Sequence, residues 1–217
     1  MQKIVVVDYG MGNLRSVAKA FEFVVREHAL PFEVAISDSP GDVRKADRVI
    51  FPGQGAMPDC MRYLRESGLE DAVRESAAAK PFLGICVGMQ MLFDVSEEGN
   101  TPGLSIFAGT VKRFRPTDAT LKVPHMGWNE VMQTREHPLW KNIPDAERFY
   151  FVHSYYCEPI ENSNIITDPK VTTAVADYGQ RFTAAVARDN IFATQFHPEK
   201  SHHAGLTLYK NFLEWMP

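Results

Sequence analysis

The chain is poor in cysteine, carries no cluster of basic residues and contains no apolar run long enough to cross a bilayer. Of its 217 residues only Cys60, Cys86 and Cys157 are cysteine. An odd count with no C-x-x-C spacing argues against a disulfide framework and fits a reducing compartment. With 23 Lys and Arg against 27 Asp and Glu, the net charge of −4 offers no positive field to hold a polyanion, so nucleic acid is not an expected partner. The N-terminal residues enter a strand-like run directly, without a basic segment and an apolar segment ahead of it, and no stretch approaches a membrane span. A cytoplasmic protein without membrane contact is the expectation. Repeats and linkers are also missing, and the length suits one domain, residues 1–217. Hydrophobic and charged fractions of 45% and 23% are ordinary for a packed core and argue against disorder or a fibre.

What is present is an alternation of strand and helix signals. Ile4 to Val7 is a short apolar run ending at Asp8, as a buried parallel strand would be. Leu14, Val17, Ala18, Phe21, Val24 and Val25 follow at helical spacing. Phe32 to Ile36 and Arg48 to Phe51 predict further strands, separated by a Ser/Pro/Gly/Asp turn cluster, with Pro52-Gly53 closing the second. Leu64 to Ala79 predicts a helical region and Pro81 to Ile85 a strand. The rhythm predicts an α/β fold, a mostly parallel open twisted sheet with helices on both faces. After Gly99 the prolines and shorter runs, such as Thr110 to Phe114 and Phe149 to Val152, add a smaller antiparallel portion. Thr183 to Arg188 and Ile191 to Phe196 flank Asp189-Asn190, which suits a tight hairpin. A final helix carries Leu206, Tyr209, Leu213 and Met216 at three- and four-residue spacing, read as core.

Cys86 stands in Gly84-Ile85-Cys86-Val87-Gly88, between a predicted strand and the helix that follows. This is the pattern of a nucleophile elbow, in which a sharp strand-to-helix turn lifts the nucleophile into open space and flanking glycines remove crowding Cβ atoms. The positive end of the helix favours thiolate there. A buried cysteine packed between glycines would give the same spacing.

A nucleophilic cysteine needs a base, and the base needs an orienting group. Gln195-Phe196-His197-Pro198-Glu199 supplies candidates, with Glu199 placed to accept one imidazole N–H while the other nitrogen exchanges a proton with sulfur. His197 could instead be a capping or packing residue and Glu199 a solvated charge. His197, Glu199, His202 and His203 also invite a metal reading, which no second ligand group supports. Gly10-Met11-Gly12 superficially follows a dinucleotide fingerprint, but Arg15 occupies the position where close helix packing wants a third glycine. No cofactor is expected.

Together GICVGMQ, FPGQG and FHPEKS resemble the class I (triad) glutamine amidotransferases. DYGMGNLRS, PHMGWNEV and YFVHSYY narrow the resemblance to the glutaminase subunits of imidazole glycerol phosphate synthase in histidine biosynthesis. It runs from Asp8 to Ser201. The resemblance implies hydrolysis of L-glutamine to glutamate and ammonia through a Cys86 thioester, with His197 as acid and base and Glu199 fixing its tautomer. It implies an oxyanion hole from the Val87 amide and the Gly53-Gln54 loop, with Gln54 standing where the family commonly carries valine. A glycine-flanked peptide there could flip. Glutamine recognition maps onto Gly53, Gly55, Gln90 and Glu98, with main chain at Ser154 and Tyr155; alone, Gln90 would read as a polar helix residue and Glu98 as a surface charge.

The resemblance further implies a separate β/α-barrel cyclase subunit that uses the ammonia to make imidazole glycerol phosphate and an aminoimidazole carboxamide ribotide. Its docking face would include Met11, Gly12, Asn13, Met126, Trp128, Tyr150 and Lys200. Without the resemblance, Trp128 and Tyr150 would read as core aromatics. Two other classes remain open, a stand-alone cysteine hydrolase of γ-glutamyl substrates on the same fold and a non-catalytic binding module. The complete Cys86, His197, Glu199 set argues against the second.

Overall fold

The computed structural model describes residues 1–118, 120–161 and 170–217. Its strands are β1 (Gln2–Val7), β2 (Phe32–Ser37), β3 (Arg48–Gly53), β4 (Phe82–Cys86), β5 (Phe93–Ser96), β6 (Thr101–Pro102), β7 (Phe107–Arg113), β8 (His125–Gln133), β9 (Glu147–His153), β10 (Tyr155–Pro159), β11 (Thr172–Asp177), β12 (Arg181–Arg188) and β13 (Ile191–Thr194). Its helices are α1 (Leu14–Glu27), α2 (Pro40–Lys45), α3 (Met57–Glu66), α4 (Glu70–Ala79), α5 (Val87–Gln90) and α6 (His202–Glu214).

The parallel core runs β2-β1-β3-β4-β13, and the sheet continues antiparallel through β12, β10 and β7. β11, β8 and β9 branch from β12. The chain moves one way from β1 to β2 and the opposite way from β2 to β3. With right-handed crossovers, that reversal puts α1 on one face of the sheet and α2 and α4 on the other. α6 joins α1, where Phe21 stacks on Tyr209 at 4.0 Å. Ile4 to Val7, Val49 to Phe51 and Leu83 are wholly buried between these layers, as continuous apolar runs of a doubly covered sheet should be. The loops after β1, β3, β4 and β13 all leave from the carboxyl ends of parallel strands, the edge where α/β sheets open a ligand crevice.

Three local expectations need correction. The turn cluster before β3 is the short helix α2, because Ser39 caps it by accepting from the Asp42 amide at 3.3 Å and Pro40 presets its first turn. The single region Leu64 to Ala79 is two helices, since Gly68 at φ +70° reverses the chain after α3 and α4 starts afresh. On α6 the core stripe is Leu208, Tyr209, Phe212 and Leu213. Leu206 is only half-buried, and Met216 lies past the helix with 81% exposure.

Candidate active site

Cys86 ends β4 with φ +55° and ψ −113°, a conformation that a non-glycine residue holds only under tertiary constraint. The constraint is backbone pressed on backbone. β3 and β4 pair in register through Gly53 and Cys86. A Cβ on Gly53 would sit 2.5 Å from the Gly88 nitrogen, and one on Gly88 would sit 1.9 Å from the Phe51 oxygen. Gly84 is required by the other neighbour, its Cβ position lying 3.0 Å from Ala193 Cβ on β13. The elbow glycines therefore serve strand-to-helix contact as much as the turn.

Cys86 does not stand in open space as the elbow pattern suggested; it is 4% exposed and faces a cavity of 310 Å³. All three cysteines are free and buried. Burial pushes the Cys60 thiol up to about 11 and raises Cys157 well above its ordinary value, so both stay protonated. Of the three, Cys86 alone lines the cavity.

His197 lines the same cavity from the end of β13. Pro198–Lys200 forms a tight 3-10 turn that swings Glu199 back, so that His197 Nδ1 and Glu199 Oε1 are 2.9 Å apart with both side chains buried. A carboxylate only accepts, so Nδ1 carries a proton and Nε2 is left facing the cavity, buried and with no hydrogen-bond partner among the described residues. Burial disfavours a charged His197, but negative charge at Cys86 and the Glu199 carboxylate outweigh it and push its pKa up to about 10. The turn is clamped from outside. The His197 amide donates to Tyr150 O at 2.9 Å, Ser201 Oγ donates to His197 O at 2.7 Å, and a Cβ on Gly205 would lie 1.8 Å from Pro198 O.

The Val87 amide opens α5, where helical amides have no partner inside the helix. Facing it, Tyr9 Oη donates to Pro52 O at 3.0 Å and Cys60 Sγ to Gln54 O at 3.4 Å. The Gly53–Gln54 peptide lies between these two anchored carbonyls. Gln54, Gly55, Gln90, Glu98, Ser154 and Tyr155 line the cavity with Cys86 and His197; Gly53 is buried beneath it against Val87 and Gly88. Glu98 is no free surface charge, because its Oε2 accepts from the Met57 amide at 2.8 Å at the start of α3.

Residues 5–215 match the sequence profile of the family described as "Glutamine amidotransferase class-I". The chain belongs to that family. Among its relatives, the proteins called "Imidazole glycerol phosphate synthase subunit HisH" of Aromatoleum aromaticum and Nitrosospira multiformis are 56% and 58% identical, each aligned over 100% of both chains. That of Neisseria meningitidis is 54% identical over 97% of this chain and 98% of its own. Among solved structures, one described as a glutamine amidotransferase superposes with a TM-score of 0.68 at 18% identity, covering 97% of each chain. A putative GMP synthase protein of Thermoplasma acidophilum gives 0.66 at 20% identity, covering 99% of this chain and 93% of its own. Both show the fold.

In this amidotransferase the other expected residues are surface features. Met126 and Trp128 are 61% and 43% exposed on β8, and Tyr150 opposite Trp128 on β9 is half-buried. Neither Trp128 nor Tyr150 is a core aromatic. Trp128 stacks on His202 at 5.0 Å, and Lys200 Nζ lies 5.7 Å over the Tyr150 ring. Met11, Gly12 and Asn13 form a partly exposed loop, and Met11 Cε lies 2.9 Å from where a Gly55 Cβ would be.

Sequence reading missed a second ring of polar residues. Gln195 is wholly buried yet lies within 3.8 Å of Cys86 Sγ, and His153, which lines the cavity, is 2.9 Å from buried His125. The signal available for Gln195 was a polar residue inside the apolar strand run that leads to His197. Among the described residues, no helix is long and apolar enough to cross a membrane.

Proposed function

We propose that Cys86, His197 and Glu199 are the catalytic triad with which this chain serves as the glutamine amidotransferase subunit of an imidazole glycerol phosphate synthase. The observation that carries the reading is the buried His197–Glu199 pair at 2.9 Å, whose His197 lines one cavity with a cysteine strained at an elbow. Cys86 Sγ attacks the side-chain carboxamide carbon of glutamine. The resulting oxyanion is met by the Val87 amide and a donor from the Gly53–Gln54 loop. His197, having taken the Cys86 thiol proton on Nε2, gives it to the departing nitrogen, which leaves as ammonia, and a γ-glutamyl thioester remains. His197 then takes a proton from water as water attacks the thioester, releasing glutamate and restoring the thiolate. Glu199 holds the imidazole in the required tautomer throughout. Glu98 supplies a carboxylate for the substrate ammonium, and Gln90, Gly55, Ser154 and Tyr155 surround the remaining polar groups.

The partner is a β/α-barrel cyclase, docked against Met11 to Asn13, Met126, Trp128, Tyr150 and Lys200. Ammonia must remain neutral to act as a nucleophile, so a shielded passage between the two proteins follows, and the assembly works in the cytoplasm. The exposed Met126 and Trp128 support this over a stand-alone γ-glutamyl hydrolase, which has no use for such a face. The isolated chain turns over glutamine slowly, and the partner with its nucleotide ligand switches it on by reorienting the Gly53–Gln54 peptide.

Glutaminase assays with and without the cyclase and its ligand test the whole reading. Full turnover by the chain alone would overturn the activation step. Cys86→Ala is expected to abolish glutamine-dependent synthesis while the complex still uses added ammonia; loss of both would make Cys86 structural.

A further inference from the structure

Gln195 has a fixed seat and an unassigned donor. Its amide nitrogen is held by Ala184 O at 2.8 Å, its side chain is wholly buried, and its carboxamide lies between Gln90 and Cys86. Which end of that carboxamide faces the sulfur follows from a chain of forced choices. The Tyr155 carbonyl can only accept, and it receives His153 Nδ1 at 2.8 Å and the Gln90 carboxamide at 3.0 Å. Gln90 must therefore present its nitrogen there. That same nitrogen lies 3.1 Å from Gln195, which must answer with its oxygen. The nitrogen of Gln195 is then left facing Cys86 Sγ at 3.8 Å. Flipping either amide alone would set two donors or two acceptors against each other in a buried site, where nothing compensates them.

We propose that Gln195 is the hydrogen-bond donor that holds the Cys86 sulfur for attack, its polarity set by the Tyr155 carbonyl through Gln90. The inference rests on the reading of Cys86 as nucleophile. An amide has no basic lone pair to compete with His197 for the thiol proton. It donates most strongly to sulfur when sulfur is charged, so it favours the thiolate and fixes its direction. With both Gln90 Nε2 protons committed, only the Gln90 carbonyl oxygen remains for the ligand.

The test is Gln195→Glu in the complex with the synthase partner. The carboxylate keeps the shape and the acceptor toward Gln90 but puts an oxygen where sulfur meets a donor. Expected are a kcat for glutamine lower by roughly 10- to 100-fold, the scale of a lost hydrogen bond to a charged group, with KM changed less. Alkylation of Cys86 by iodoacetamide, located by peptide mapping, should slow by at least about 10-fold. Gln195→Met, which removes the donor without adding charge, is read in the same way if the carboxylate prevents folding. Unchanged kcat and unchanged alkylation with a raised KM would overturn the proposal and leave Gln195 as a support for Gln90. A Cys86→Ala enzyme that still hydrolyses glutamine would instead overturn the nucleophile beneath it, whatever the Gln195 variants do.

Discussion

Glu199 and Gly205 act on the same imidazole by different physics, and substitution separates them. Glu199→Gln keeps the size of the side chain but no longer enforces a proton on Nδ1, so kcat for glutamine should fall roughly 10³- to 10⁴-fold with the backbone of the turn kept in place. Steady-state kinetics beside a thermal melt reads both. Gly205→Ala does the reverse. Its Cβ would meet Pro198 O at 1.8 Å and Pro198 C at 2.6 Å, backbone atoms that no rotamer change can clear. Stability should drop by about 1–3 kcal/mol or more, seen as a lower urea midpoint, and the displaced turn should carry His197 away with it.

β8 and β9 set one face inward and one outward, which divides their aromatic residues between two faces. Phe149, Phe151 and His153 are buried, while Met126, Trp128, Tyr150 and Val152 share the other face. Trp128→Ala should therefore leave the melting temperature nearly unchanged but weaken binding to the cyclase by at least about 2 kcal/mol, measurable by calorimetry. From the sequence alone, alternation could not say which face of a hairpin is covered, so composition favoured the core for Trp128 and Tyr150. The elements of the parallel half were legible because they are regular: β1, α1, β2 and the hairpin at Asp189, whose φ of +51° suits a tight reversal, follow from period and turn chemistry. α2 was hidden because Ser39 and Pro40 read as turn residues as readily as they cap a helix. The motif residues Cys86, His197 and Glu199 were legible through their neighbours in the chain. Gln195, His153 and His125 were not, since their partners lie far off in sequence and only strand pairing brings them together.

At the scale of the whole molecule, buried histidines make stability depend on pH. Burial lowers His125 to about 4, His153 to about 3 and His137 to about 4, all from 6.5. A neutral imidazole in the fold and a protonatable one in the unfolded chain means full stability above pH 6.5, lost as pH falls from 6.5 toward 3 to 4. The slope is roughly 1.4 kcal/mol per pH unit for each fully buried histidine, with partly exposed His137 adding less. His197 has the opposite sign, its contribution present below 6.5 and lost as pH rises through about 10, so it does not cause the acid loss. Urea titrations at pH 7 and pH 5 should show a clear drop; equal midpoints would contradict it. The order of the strands has a consequence in time as well as space. β13 pairs directly with β4, although Gln195 and Cys86 are 109 positions apart. A chain emerging from the ribosome thus carries Cys86 through about half of synthesis with neither His197 nor Gln195 beside it. β13 also joins the parallel half of the sheet to the antiparallel half, so closing the sheet and bringing His197 to Cys86 are one event.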